Sequence, residues 1–203
     1  MKKQDWLLNR NQGYITLSAF LFAVALLLTS LLARNNINFI NYFYACVDTL
    51  LAFVVTGVLA WLWRSIRADR INVSIIAWLF FGFLLWAVAE GIWAVLAIVE
   101  GEIPYPSIAD YFFIVGYIPF YVALIKRYRS FHIRPTFRQR IYIFAAVSIV
   151  SAVTIIFILL PIIRSFDVQD LFVSFLNLFY PLGDLALLLL VVAVFNKIGR
   201  AHV

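Results

Sequence analysis

Long uninterrupted apolar runs separated by short polar stretches dominate the chain. Six of them read as membrane spans, at 14–33, 39–63, 73–99, 111–125, 141–163 and 171–195, since a helix needs roughly 20 apolar residues to cross a hydrocarbon core. The runs are continuous instead of alternating, which argues against a β-barrel. The expected fold is therefore all-α: a polytopic transmembrane helical bundle. The fourth run is short and carries Gly116 and Pro119, and the sixth is interrupted at Pro181. Both are expected to kink, because proline lacks a backbone donor and clashes with the preceding turn. The first run is longer than the 7–15 residues typical of a signal-peptide core. It ends in Leu-Leu-Ala-Arg, a poor cleavage site, so it reads as a retained anchor.

Composition narrows the class further. Of 203 residues, 65% are hydrophobic and 13% charged, against roughly 45–50% and about 25% in soluble domains. Neither a water-soluble globule nor a disordered chain has this make-up. The single cysteine, Cys46, cannot close an intrachain disulfide and has no metal-ligand spacing around it.

The formal net charge is +6, and the placement of the basic residues points to membrane orientation and not to nucleic acid. Lys2, Lys3 and Arg10 precede the first span. Arg64, Arg67 and Arg70 fill the second loop, and Lys126, Arg127, Arg129, Arg134, Arg138 and Arg140 the fourth, while the alternate loops hold only Arg34 and Arg164. This asymmetry places the N-terminus and the even loops in the cytoplasm. Glu100, Glu102, Asp110, Asp167 and Asp170 then fall outside. A multi-pass protein of the plasma membrane is expected, with a cytoplasmic segment at 1–13 and a membrane domain over 14–197. Residues 198–203 match the in-frame translation of a common sequencing adapter, which predicts that the natural chain continues beyond Lys197. Trp61, Trp63 and Trp78 sit at span ends, as interfacial belt residues do.

Three carboxyls lie inside apolar runs: Asp48, Glu90 and Asp184. A charge there costs at least about 2.5–3.5 kcal/mol, and no Lys, Arg or His lies within a span to pair with it. Glu90 and Asp48 are each about 13 Å from the outer span end at 1.5 Å per residue. Asp184 is about 20 Å deep if the sixth span starts at Leu171, and shallow if 171–179 lies along the surface. Trp86, Glu90 and Trp93 share a helical face; so do Ser174, Asn177, Pro181 and Asp184. Two readings stay open: a polar cavity facing outward for a ligand, proton or ion, or three acids that only bind neighbouring helices together.

The outer loop 101–110 holds Pro104, Pro106 and a Ser107-x-x-Asp110 pattern. That pattern is a helix capping box, or else a lid over the cavity. The basic loop 126–140 reads as a topology determinant against anionic headgroups. A faint parallel echo links Ser107-x-x-Asp110 before Tyr117-x-Pro119 with Asp167-x-x-Asp170 before Tyr180-Pro181. No nucleophile set, phosphate loop or His-based metal motif is present, so neither catalysis nor a cofactor is expected.

Pro104-Tyr105-Pro106-Ser107-Ile108-Ala109-Asp110-Tyr111, then Gly116-Tyr117-Ile118-Pro119-Phe120, with Glu90-Gly91-Ile92-Trp93 before and Tyr180-Pro181-Leu182-Gly183-Asp184 after, resembles the N-terminal multi-span input regions of bacterial and archaeal signalling proteins. Those regions carry a P-S-x-A-D-x-x-Y-x-x-G-Y-like outer loop and a later Y-P-x-x-D. The likeness covers residues 75–197. Phe113 departs from it, standing where the first family Tyr is expected, and eight spans are common where six are visible. The resemblance implies a sensory input region that precedes a cytoplasmic PAS, histidine kinase or diguanylate cyclase/phosphodiesterase module in cis, with the lipid bilayer, a small-molecule or ion ligand and a second copy of the chain as partners. Asp48, Glu90, Trp93, Asp110, Tyr180 and Asp184 are the expected ligand or ion site. A small proton- or cation-coupled transporter is the alternative, and a scaffold with purely structural acids is the third reading.

Overall fold

The computed structural model describes residues 21–22, 24–33, 36–66, 70–101, 104–130, 137–164 and 170–198. Two compact units divide between Val47 and Asp48. The first contains helix α1 over 24–32 and the start of α2 (Ile37–Ser65). Asn36 caps α2, its Oδ1 accepting the Phe39 N–H at 3.1 Å.

The second unit carries the rest of α2, then α3 (Arg70–Glu100), α4 (Ile108–Ser130), α5 (Phe137–Thr154), a π-turn at Ile155–Leu159, α6 (Leu160–Arg164) and α7 (Leu171–Ile198). No strand occurs among the described residues. Five helices are long and apolar enough to cross a membrane: Phe39–Ser65, Arg70–Glu100, Ile108–Ser130, Val147–Arg164 and Leu171–Phe195. Of the expected first span, 14–20 and residue 23 lie outside the described residues, as do 1–13 and 199–203. Arg34, Arg67, Glu102, His132, Arg134 and Asp167 do too.

Large apolar side chains point outward along these helices. Phe144 is 75% exposed, Phe157 72% and Leu50 64%, values that only lipid makes tolerable in a chain this apolar. The interior is built instead from small residues. Ala87, Ala89, Ala94 and Ala97 on α3 and Ala109 and Ala123 on α4 are buried, which lets the two helices approach closely without a hydrophobic driving force. They pair antiparallel: Trp86 bonds Phe113, Trp93 bonds Ser107, and at the far end Arg127 and Lys126 donate to Asn72 Oδ1 and Ser74 Oγ, both at 2.9 Å. Two residues of the basic stretch thus hold the start of α3. On α2, Thr49 Oγ1 donates to the Glu90 carbonyl at 3.0 Å, and Trp63 packs on Phe80 and Phe81.

α3 ends at Gly101, whose φ of 74° is the left-handed conformation that terminates helices. α4 and α7 meet over their N-terminal halves, so both begin at the end of the bundle where α3 finishes. The helical run 137–164 between them supplies the return crossing that this arrangement needs. Both α4 and α7 stay helical through Pro119 and Pro181. A π-turn precedes a third proline, Pro161. Its ring displaces the residue-157 carbonyl, and the preceding turn widens so that the Leu160 N–H reaches the Ile155 oxygen.

Candidate functional site

A cavity of about 440 Å³ opens between α3, α4, α7 and the loop before α4, within the roughly 300–1,000 Å³ range of small-molecule sites. Its base is the helix cap. The Asp110 Oδ2 accepts the Ser107 N–H at 2.6 Å, and the Ser107 Oγ accepts the Ala109 N–H at 3.2 Å. This is the reciprocal capping box expected from the sequence. The Ser107 Oγ also donates to Asp110 Oδ2 at 3.2 Å and accepts the Trp93 indole N–H at 3.1 Å, which ties the cap to α3. Asp110 thus belongs both to the cap and to the lining of the cavity.

Two further bonds join α4 to α7. The Tyr180 hydroxyl donates to Asp110 Oδ1 at 2.6 Å, and the Tyr117 hydroxyl donates to Asp184 Oδ1 at 2.5 Å. Each helix therefore gives one carboxylate and one phenol to the pair of cross-links. Tyr121 adds a third bond to α7, donating to the Gly183 carbonyl at 2.8 Å. Above them the Tyr105 hydroxyl donates to Asn177 Oδ1 at 2.7 Å, strapping the loop to α7. Aromatic rings form the remaining walls: Trp86 meets Phe113 and Tyr117 edge-on, and Trp93 meets Phe113.

The carboxylates differ in surroundings. Asp110 is 1% exposed, with three hydrogen bonds shared between its two oxygens. Asp184 is exposed, and its one hydrogen bond among the described residues comes from Tyr117. It forms the partition between the main cavity and a neighbouring hollow of about 270 Å³ that reaches the π-turn through Thr154 and Ile158.

Of the six residues expected to form one site, Trp93, Asp110, Tyr180 and Asp184 line this cavity. Asp48 and Glu90 do not. Asp48 lies on α2 and Glu90 on α3, where the neighbouring Thr49 bonds the Glu90 carbonyl, with Asp48 exposed and Glu90 half-buried. The expectation that all three intramembrane acids share a hollow is corrected accordingly: depth along a span does not fix the side of the helix. Glu90 lies about 60° round from Trp93 at 100° per residue, enough to turn it toward α2. Tyr105, Tyr117 and Asn177 are the polar members that sequence reasoning left out. The signal available was facial: Tyr117 follows Asp110 by seven residues, and Asp184 follows Asn177 by seven.

Burial, and after it the negative charge of Asp110, raises the Tyr105 phenol above its ordinary value of 10.0. The folded protein thus holds this proton more tightly than the unfolded chain. Its contribution to stability is complete below about pH 10 and falls as pH rises beyond it. Thermal midpoints measured from pH 8 to 11 are expected to decline less steeply in Tyr105→Phe than in the parent; parallel curves would remove Tyr105 from the alkaline transition.

No group of three or more His, Cys, Asp or Glu placed to hold a metal ion exists among the described residues. Comparison with protein-family models, curated proteins and solved structures finds no match.

Proposed function

We propose that the chain is the membrane-embedded sensory input region of a signal-transduction protein, which detects a ligand in the α3–α4–α7 cavity and passes the change along α7 to a cytoplasmic output module. The observation that carries this reading is the double Tyr–Asp exchange between α4 and α7. A ligand that competes for either carboxylate alters a bond between two helices, and it shifts their arrangement by as much as its affinity differs between the two arrangements. Because α7 is continuous from Leu171 to Ile198, a shift at Asp184 is delivered to the opposite end of the bundle. The charge pattern supports the orientation. Lys126 and Arg127 bond the start of α3, which Arg70 opens, at the end away from the cavity, while Asp110 lines the cavity. By the positive-inside rule the N-terminus is cytoplasmic and the cavity faces out.

The test joins the chain after Ile198 to a histidine-kinase output module in cells. Asp184→Asn and Tyr117→Phe are expected to change basal kinase output at least twofold at equal membrane abundance, and Asp48→Asn to leave it within experimental scatter. Unchanged output from both cavity variants would defeat the reading. Cation flux in proteoliposomes that depends on Asp184 would instead favour a transporter.

A further inference from the structure

The walls of the cavity specify the chemistry of what it takes. Trp86, Trp93 and Tyr180 are among the rings that line it, and Asp110 and Asp184 give it two carboxylates; among the described residues no Lys, Arg or His lines it. An anion finds no cation there and only one side-chain amide, that of Asn177. A hard metal ion needs six or more oxygen ligands, whereas both carboxylates are already engaged by phenols and the surrounding surface is mostly ring carbon. A neutral apolar ligand offers neither a charge nor a donor to Asp184, whose one hydrogen bond among the described residues comes from Tyr117.

We infer that the ligand is a small organic ammonium ion, held by charge at Asp184 and by cation–π contact with the tryptophans. An alkylated nitrogen suits this combination because its charge is diffuse and its desolvation mild, so aromatic faces replace water well. Asp110, fully committed to the cap and to Tyr180, sets the field of the cavity and keeps its own contacts. The inference rests on the cavity being the sensing site. A soluble amine and the ammonium of a lipid headgroup present the same chemistry.

The full chain in nanodiscs of pure phosphatidylglycerol, which has no ammonium, is titrated with choline and tetramethylammonium by calorimetry, alongside neohexyl alcohol, the uncharged carbon isostere of choline. Saturable binding of an ammonium probe is expected, with the alcohol at least tenfold weaker. Asp184→Asn should weaken choline about tenfold or more, and Trp93→Leu about threefold to tenfold. A choline-induced rise in thermal midpoint that Asp184→Asn abolishes is the second readout, independent of each variant's own stability. Repeating the titration with phosphatidylcholine in the disc assigns the source: weakened choline binding identifies the headgroup, and unchanged binding a free solute. Equal affinity for alcohol and choline, no binding of either ammonium probe, or choline binding indifferent to Asp184 overturns the inference. The sensing reading fails separately, through unchanged kinase output in the cavity variants, and stands if the alcohol proves the better ligand.

Discussion

Asp110→Ala is expected to destabilise the protein by about 2–4 kcal/mol, the largest loss among single substitutions at the cavity. The carboxylate is 1% exposed and satisfies the Ser107 N–H, the Ser107 hydroxyl and the Tyr180 hydroxyl at once. The Ser107 hydroxyl can turn to another acceptor, but the backbone N–H and the phenol are left with none, and each stranded buried donor costs roughly 1–3 kcal/mol. Asp110→Asn is predicted to be milder, about 1 kcal/mol. Its amide oxygen keeps the Ser107 N–H, and its NH2 donates to a Tyr180 hydroxyl that rotates to accept. Ser107→Ala removes the reciprocal half of the cap, a loss of about 0.5–2 kcal/mol, and also frees the Trp93 indole N–H. Thermal midpoints in detergent order the series; Asp110→Ala at the parent midpoint would show that the cap and the α4–α7 link are dispensable to the fold. Tyr180→Phe made in the Asp110→Asn background tests the same bond from the other side. Its added cost should be smaller than in the parent, because coupled residues do not add.

The features legible in the sequence are those whose physics is one-dimensional. Span placement follows from apolar length, and the five helices found start and stop close to the expected runs because hydrocarbon thickness sets their length. The capping box was legible because its chemistry is complete within four residues. The cross-links were not: Tyr117 and Asp184 are 67 residues apart, Tyr180 and Asp110 are 70, and Tyr105 and Asn177 are 72. Each choice of partner depends on which helices are neighbours. Grouping Asp48, Glu90 and Asp184 by depth used one coordinate where three are needed. Helical face was the second, and it sets Glu90 only about 40–60° from the tryptophans at 100° per residue; helix adjacency was the third, and it puts Glu90 of α3 beside α2, where Thr49 bonds its carbonyl, while Asp184 meets Tyr117 of α4. Of the faint echo between Ser107-x-x-Asp110 before Tyr117-x-Pro119 and Asp167-x-x-Asp170 before Tyr180-Pro181, Asp167 lies outside the described residues, and Tyr180 bonds Asp110 across the α4–α7 contact. Pro119 and Pro181 drew attention as breaks, yet their helices continue, and the widened turn comes before Pro161, near the end of its helix, where sequence reading passed over the ring.

Alanine at Gly116 is expected to destabilise the protein while alanine at Gly57 does not, although both are glycines inside membrane helices. A Cβ at Gly116 would collide with Trp86 Cδ1 and stand 2.7 Å from its Nε1. The indole cannot withdraw easily: Phe113, Tyr117 and Phe120 contact it edge-on, and its N–H donates to the Phe113 carbonyl at 3.3 Å. Either α3 and α4 separate or the ring leaves its pocket, and overpacking of this kind costs typically 1–3 kcal/mol. The gain in helix propensity, at most about 1 kcal/mol, does not offset it. At Gly57 nothing lies within 4 Å of the added carbon, so propensity acts alone and the change should be neutral or stabilising. The midpoint should therefore fall in Gly116→Ala and hold or rise in Gly57→Ala, and Trp86→Leu combined with Gly116→Ala should cost less than the two singles together, since the smaller side chain vacates the space the methyl needs. Because Trp86 is also a wall of the cavity, Gly116→Ala should weaken choline binding as well as stability, whereas Gly57→Ala should leave binding intact. A Gly116→Ala protein with parent stability and parent affinity would mean that the α3–α4 contact yields more readily than its close packing of small residues implies.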